Sequence, residues 1–257
     1  MASSDDWTGR TALVTGAASG IGLAVSATLR ARGADVIMVD LPGAALDAAA
    51  ASIEGATALA ADLSDVDAVR TLDDALANAD TLVNNAGLGV LVPIHELDDA
   101  QWNKLLTVML TAPFMLIRAA LPGMIERNFG RIVNISSVYG HIAGTRRAAY
   151  VSAKHGILGL TKATAVEAAA AGATQVTSNA VCPSHVRTGA LERVLNDQAA
   201  ERGISVDEVA ADLMTRNLVK RLVEPGEIAE MVAFLGRPDM WSVNGQSVLM
   251  DSGWLTT

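Results

Sequence analysis

Thr15-Gly16-Ala17-Ala18-Ser19-Gly20-Ile21-Gly22 decides the fold. The stretch follows the apolar, β-branched run Thr11–Thr15 and opens the helical pattern Ile21–Arg32, so its glycines stand where a strand turns into a helix. Glycine there permits a sharp reversal and lets backbone N–H groups approach an anion, whose charge the helix N-terminus favours. In a strand–turn–helix context the anion such a turn cradles is the pyrophosphate of a dinucleotide, with Gly16, Ser19, Gly20, Ile21 and Gly22 as candidate contacts.

Outward from this turn, short apolar runs alternate with Ala-rich helical stretches, the rhythm of βαβ units on a parallel sheet. Strands are expected near Thr11–Thr15, Asp35–Asp40, Ala56–Ala61, Thr81–Asn84, Arg131–Ser136, Gln175–Cys182 and Gln246–Met250. The clearest helices are Ile21–Arg32, Val66–Ala77, Ala100–Arg127 and Ala149–Ala171. No Pro/Gly/Ser-rich linker divides the chain, which reads as one α/β domain over residues 1–257: a Rossmann-like, doubly wound, seven-stranded parallel sheet. The segment from Gly189 to Leu222 interrupts the rhythm. Its apolar positions Leu191, Val194 and Leu195, then Val206, Val209, Leu213 and Met214, have helical spacing, so it reads as a helical substrate lid.

The second strand ends in Asp40, a carboxylate where the ribose hydroxyls of a dinucleotide should lie. Asp40 can accept hydrogen bonds from a ribose diol and would repel a 2′-phosphate, and neither Ala17, Ala18 nor Leu41 offers a compensating cation. NAD is therefore expected rather than NADP.

Composition excludes several classes. A formal charge of -9 argues against nucleic-acid and anionic-membrane partners, which attract clustered Lys and Arg. Cys182, the sole cysteine, cannot form an intrachain disulfide and reads as a buried strand thiol. Met1–Gly9 is polar and acidic, without the basic start and apolar run of a signal peptide, and no apolar run reaches membrane-spanning length without interruption. A cytoplasmic enzyme is expected. His95, His141, His155 and His185 lack metal-ligand spacing and read as solvated or hydrogen-bonded structural histidines, so no metal site is expected.

The spacing Gly-x-x-x-Gly-x-Gly, with Asp62-Leu63, Asn84-Asn85-Ala86-Gly87, Ser137, Tyr150-x-x-x-Lys154 and Pro183-Ser184-x-Val186-x-Thr188, resembles the short-chain dehydrogenase/reductase family over essentially the whole chain. The resemblance implies that Asp62 and Leu63 flank the adenine, that Asn85, Ala86 and Gly87 line the cofactor groove, and that Pro183, Val186 and Thr188 bind the nicotinamide end. It also implies a homotetramer and a catalytic set of Ser137, Tyr150 and Lys154, with Tyr150 and Lys154 also touching cofactor.

The chemistry of that set is intelligible. Four-residue spacing puts Tyr150 and Lys154 on one helical face. A tyrosine titrating near 10 is a poor base at neutral pH, and positive charge from Lys154 and an oxidised nicotinamide is expected to lower it. Tyr150 would then exchange a proton with the substrate oxygen while Ser137 holds that oxygen by a hydrogen bond. Many relatives carry an Asn that helps hold a water chain from the lysine; here Met109 stands at its place, and a thioether cannot do that work well.

For the substrate, Ala149–Lys162, Asp197–Ser205, Lys220–Val223 and Asp251–Trp254 are similar to the D-3-hydroxybutyrate dehydrogenase subgroup. Its carboxylate-holding set is altered: Gly89 and Val194 replace two Gln, Tyr139 a His and Arg147 a Lys, while Trp254 keeps the C-terminal Trp near the pocket. Arg147 can hold a carboxylate bidentately, or be a solvated residue at the start of the helix. A small secondary alcohol or ketone is expected, either a 3-hydroxy acid such as D-3-hydroxybutyrate or a neutral cyclic or aryl ketone. A reading from another class is a non-catalytic NAD-sensing binding protein.

Overall fold

The computed structural model describes residues 5–256. The first four residues of the Met1–Gly9 segment, and Thr257, lie outside the described residues. Seven strands, β1 (Thr11–Thr15), β2 (Asp35–Asp40), β3 (Thr57–Ala60), β4 (Thr81–Asn84), β5 (Gly130–Ile135), β6 (Val176–Pro183) and β7 (Ser247–Met250), form one sheet in the order β3-β2-β1-β4-β5-β6-β7. Every pairing is parallel. The order reverses between β1 and β4, so the loops leaving these neighbours diverge and open a crevice at the carboxyl edge.

Period-two alternation assigns adjacent residues to opposite layers. Leu13, Val39, Leu82 and Ile132 face one core, filled by Val69 of α3 (Val66–Arg70), Leu76 of α4 (Asp73–Ala77), Leu105 of α5 (Asp99–Leu106), Leu116 and Met124 of α6 (Ala112–Glu126) and Ala153 of α7 (Ala148–Ala170). Their neighbours Val14, Met38, Val83 and Val133 face the other, with Val25 and Leu29 of α1 (Gly20–Ala31), Leu46 of α2 (Ala44–Ala51) and Ile228 and Val232 of α10 (Pro225–Gly236). Strands β5 and β6 are buried at every position, as helices on both faces require.

Two helices expected to be continuous are modified. Val66–Ala77 is divided at Thr71 and Leu72, where N–H groups bond back three residues and the Thr71 hydroxyl donates to the Ala68 carbonyl, tightening the turn. Ala100–Arg127 contains a π turn, Thr107–Thr111, ahead of Pro113. Proline has no N–H for the Met109 carbonyl and its ring crowds that oxygen, so the turn widens. Asp99–Glu126 is long and apolar enough to cross a membrane, although no uninterrupted run of that length was expected. The run packs Leu105, Leu116 and Met124 into the core.

The excursion after β6 contains α8 (Gly189–Arg202) and α9 (Val206–Leu213), clasped through Leu195, Ala199 and Val209 with Leu191, Ile204 and Leu213 against them. Ser205 and Glu208 close a reciprocal cap on α9. At its base Val186 pairs with Val223, and near its end the N–H groups of Leu218 and Val219 donate to the Ser252 carbonyl.

Candidate active site

The glycine turn is built by close approach. Gly16 and Gly20 have φ of 65° and 54°. A Cβ on Gly16 would lie 2.8 Å from Ala86 Cα, and one on Gly22 2.1 Å from the Gly16 carbonyl oxygen. Asn85 Nδ2 donates to the Thr15 and Gly16 carbonyls at 2.9 and 3.1 Å, and the Asn85 and Ala86 N–H groups donate to Thr15 Oγ1. The loops after β1 and β4 are thereby locked together across the switch point. Ser19 caps α1 without a side-chain bond and no acid occupies the first turn, which leaves the positive end of the helix to an anion.

Asp40 turns its carboxylate onto this turn, accepting from the Ala18 N–H (Oδ2, 2.8 Å) and the Leu41 N–H (Oδ1, 2.8 Å). Thr188, beyond β6, faces the same helix start: a Cβ on Gly20 would lie 3.0 Å from its methyl carbon. Gly87 lies beside Met109, whose sulfur would be 3.5 Å from an added Cβ. Asp62 accepts from the Ser64 N–H and hydroxyl, which hold its carboxyl below the usual range, while Leu63 buries its side chain in the core. These residues fit a dinucleotide. Glycine at positions 16, 20 and 22 lets Ala86, Thr188 and the Gly16 carbonyl close in on the turn, the N-terminus of α1 is left without a side-chain cap, and a carboxylate stands at the end of β2.

The second cluster lies at the carboxyl ends of β5 and β6. Ser137 caps the short turn Val138–Gly140, accepting from the Tyr139 N–H at 3.2 Å, and its hydroxyl donates to the Pro183 carbonyl at 3.5 Å. Tyr150 and Lys154 project from the first turns of α7. Burial pushes the Tyr150 phenol above its ordinary value, while the nearby Ser137 hydroxyl and the Arg147 charge pull it down. Lys154 Nζ lies 5.5 Å from the Tyr150 ring centre and donates to the Ile135 carbonyl at 2.7 Å, and burial lowers its own pKa to about 8. Cys182 is buried and its thiol is pushed up to about 11, as an inert strand residue should be.

A line of rings leads outward. Tyr139 meets Tyr150 edge-on at 6.2 Å and Trp254 edge-on at 5.9 Å, and Trp254 stacks on His185 at 5.2 Å. Arg147 lies over the Tyr139 face at 5.0 Å. Tyr139, Arg147 and Trp254 line a common cavity with Gln198 and Arg216; Gly89 and Val194 do not. Gly89 borders open space, and Val194 is half-buried on α8, one turn before Gln198.

His185 was missed. Its Nδ1 is buried without a hydrogen-bond partner, and burial first, then Arg147, depresses its pKa to about 4. The other three fit the bland reading better: His141 and His155 are exposed, His155 bonding the Val151 carbonyl, and His95 is exposed beside Glu96. The only local signal for His185 was its place between Ser184 and Val186 in the motif after β6.

Comparison with known proteins agrees with this geometry. The short chain dehydrogenase family model matches residues 10–199. The chain is 35% identical to a D-beta-hydroxybutyrate dehydrogenase of Rhizobium meliloti, covering 95% of this chain and 98% of the relative. It is 37% identical to one of Cupriavidus necator, covering 96% and 98%. Among solved structures, a candidate NAD(P)-dependent gluconate 5-dehydrogenase of Beutenbergia cavernae with NADP bound at low occupancy superposes with a TM-score of 0.87 at 34% identity, covering 99% and 100% of the two chains. With a nucleotide cradle beside a Ser–Tyr–Lys cluster and family similarity along its length, the chain belongs to the short-chain dehydrogenase/reductase family, oxidoreductases that act on CH–OH groups with a nicotinamide cofactor.

Proposed function

We propose that the protein is an NAD(H)-dependent dehydrogenase of a small hydroxy acid, with Ser137, Tyr150 and Lys154 as its catalytic residues. The observation that carries this is Tyr150 set beside Ser137 and Lys154, next to a cavity lined by Arg147. When bound, NAD(H) supplies the hydride acceptor or donor. The phenol of Tyr150 gives a proton to the oxygen of a ketone undergoing reduction and takes one back in the reverse direction. Ser137 holds that oxygen and stabilises negative charge developing on it. Lys154 and Arg147 add the positive field that favours the phenolate, and Arg147 takes the substrate carboxylate.

Gly16, Ser19, Gly20, Ile21 and Gly22 hold the pyrophosphate in this reading, Asp40 the ribose diol, and Asp62 and Leu63 flank the adenine. Asn85, Ala86 and Gly87 line the cofactor groove, and Pro183, Val186 and Thr188 bind the nicotinamide end. The segment 189–222 serves as the lid, and the likeness to the hydroxybutyrate dehydrogenases supports 3-hydroxybutyrate as a first substrate to test.

The test is turnover of 3-hydroxybutyrate and of neutral alcohols with NAD and NADP, followed at 340 nm. NAD should be preferred by the wild type. Asp40→Ala should shrink that preference, because it removes both the acceptor for the diol and the charge that repels a 2′-phosphate. A wild type that prefers NADP would overturn the assignment of Asp40.

A further inference from the structure

The cavity beside Tyr139 carries more positive charge than one carboxylate needs. About 520 Å3 in volume, it is lined by Arg146, Arg147 and Arg216 together with Thr145, Gln198 and Trp254. No Asp or Glu lines it, although the chain's 28 Asp and Glu outnumber its 19 Lys and Arg. Among the described residues none of these three arginines is in a salt bridge, whereas Arg32, Arg70, Arg187, Arg202 and Arg221 each pair with an acid.

Each of the three is kept from an acid in its own way. Arg216 follows Asp212 by one turn, but Asp212 Oδ2 accepts from Arg202 at 2.5 Å. Arg147 lies on the Tyr139 ring, and the chain bends close enough at Gly144 that an added Cβ would meet that ring at 2.8 Å. Arg146 gives one nitrogen to the Leu91 carbonyl at 3.1 Å and holds φ at 60°, a strained conformation for a residue with a side chain. The charge is felt inside the site: Arg147 pulls down both Tyr150 and His185. Like charges gathered without counter-charge repel one another, and a bound anion relieves that repulsion.

We infer that the substrate carries two carboxylates, one taken by Arg147 near the reacting carbon and a second by Arg216. This deepens the reading of Arg147 given above and rests on it. Arg147 acts on Tyr150 and so stands nearest the chemistry. Arg216 comes from the segment beyond α9 and lines a second, adjoining cavity with His141, Ile142, Trp254 and Leu255, which gives the longer end of a diacid room beyond the Tyr139 wall.

The experiment compares 3-hydroxyglutarate, 3-hydroxybutyrate and cyclohexanol with NAD, in wild type and in Arg216→Ala and Arg147→Ala. The diacid should have the highest kcat/KM. Arg216→Ala should lower it about 10- to 100-fold more for the diacid than for the monoacid, mainly through KM, because one charge-assisted contact is lost. Glutarate as a competitive inhibitor should weaken in parallel, a readout that needs no turnover of the diacid, and Arg216→Lys should restore part of both. Arg147→Ala should raise KM for both acids far more than for cyclohexanol, while the weaker field on Tyr150 lowers kcat for all three. Equal use of the two acids, or an equal effect of Arg216→Ala on them, overturns the second-anion site alone. Cyclohexanol outperforming both acids would overturn the carboxylate role of Arg147 as well.

Discussion

Tyr150 differs from phenylalanine by one hydroxyl, and in the proposed mechanism that hydroxyl moves the proton. Tyr150→Phe should lower kcat by about two to four orders of magnitude while NADH binding, followed by fluorescence, stays close to wild type. Near-normal turnover would remove Tyr150 from the chemistry. The tyrosine could be found in the sequence because its partner lysine is four residues away on the same helix. His185 could not: what distinguishes it is a stack on Trp254, far along the chain, and a buried nitrogen with no partner. Its depressed pKa makes a thermodynamic prediction. Between about 4 and 6.5 the unfolded chain binds a proton at this position that the folded chain does not, so His185 favours folding above that window and loses the contribution as pH falls through it. His141 is shifted the same way, so the measurement is a difference. His185→Phe should flatten the fall in Tm from pH 6.5 to pH 4, and a slope identical to wild type would show that the imidazole is not held neutral.

At the scale of the element, two glycines should respond with opposite signs. Gly22 lies under the turn, where a Cβ would come within 2.1 Å of a backbone oxygen, so Gly22→Ala should cost about 1–3 kcal/mol and weaken NADH binding by displacing Gly16. Gly159 sits exposed inside α7 with nothing within 4 Å of an added Cβ. Gly159→Ala should stabilise by about 0.5–1 kcal/mol. Urea melts of the pair check both; a Gly22→Ala protein as stable as wild type would mean that the turn yields without resistance. Strand positions were legible because buried parallel strands are short β-branched runs. The breaks within helices were not, since periodicity continues across Thr71 and across Pro113 while the hydrogen bonding changes beneath it. The same limit applies on the substrate side. Gly89 and Val194 were taken from aligned motifs, whereas Gln198 and Arg216 reach the cavity through the packing of α8 and α9, which no local pattern reveals.

For the whole molecule, the order of strands and the site at the carboxyl edge follow from the βα rhythm and its first turn. Assembly is a separate matter. The family resemblance implies a homotetramer, and the exposed side chains Phe114, Val166, Trp241 and Leu249 offer apolar surface that further copies would cover. Sedimentation at micromolar concentration should therefore give a species of four 26.6 kDa chains; one sedimenting at 26.6 kDa would overturn the tetramer. The feet of the 189–222 excursion bear on how such a protein changes over generations. Val186 and Val223 stand side by side at its base, so the chain comes back beside its exit from β6 before α10 begins. Closing a loop whose ends already meet depends only weakly on its length. The segment can thus lengthen, shorten or be exchanged for that of a relative without re-registering β6 against β7. If the segment is the lid proposed above, such exchanges would change what the enzyme accepts and leave Ser137, Tyr150 and Lys154 where they stand.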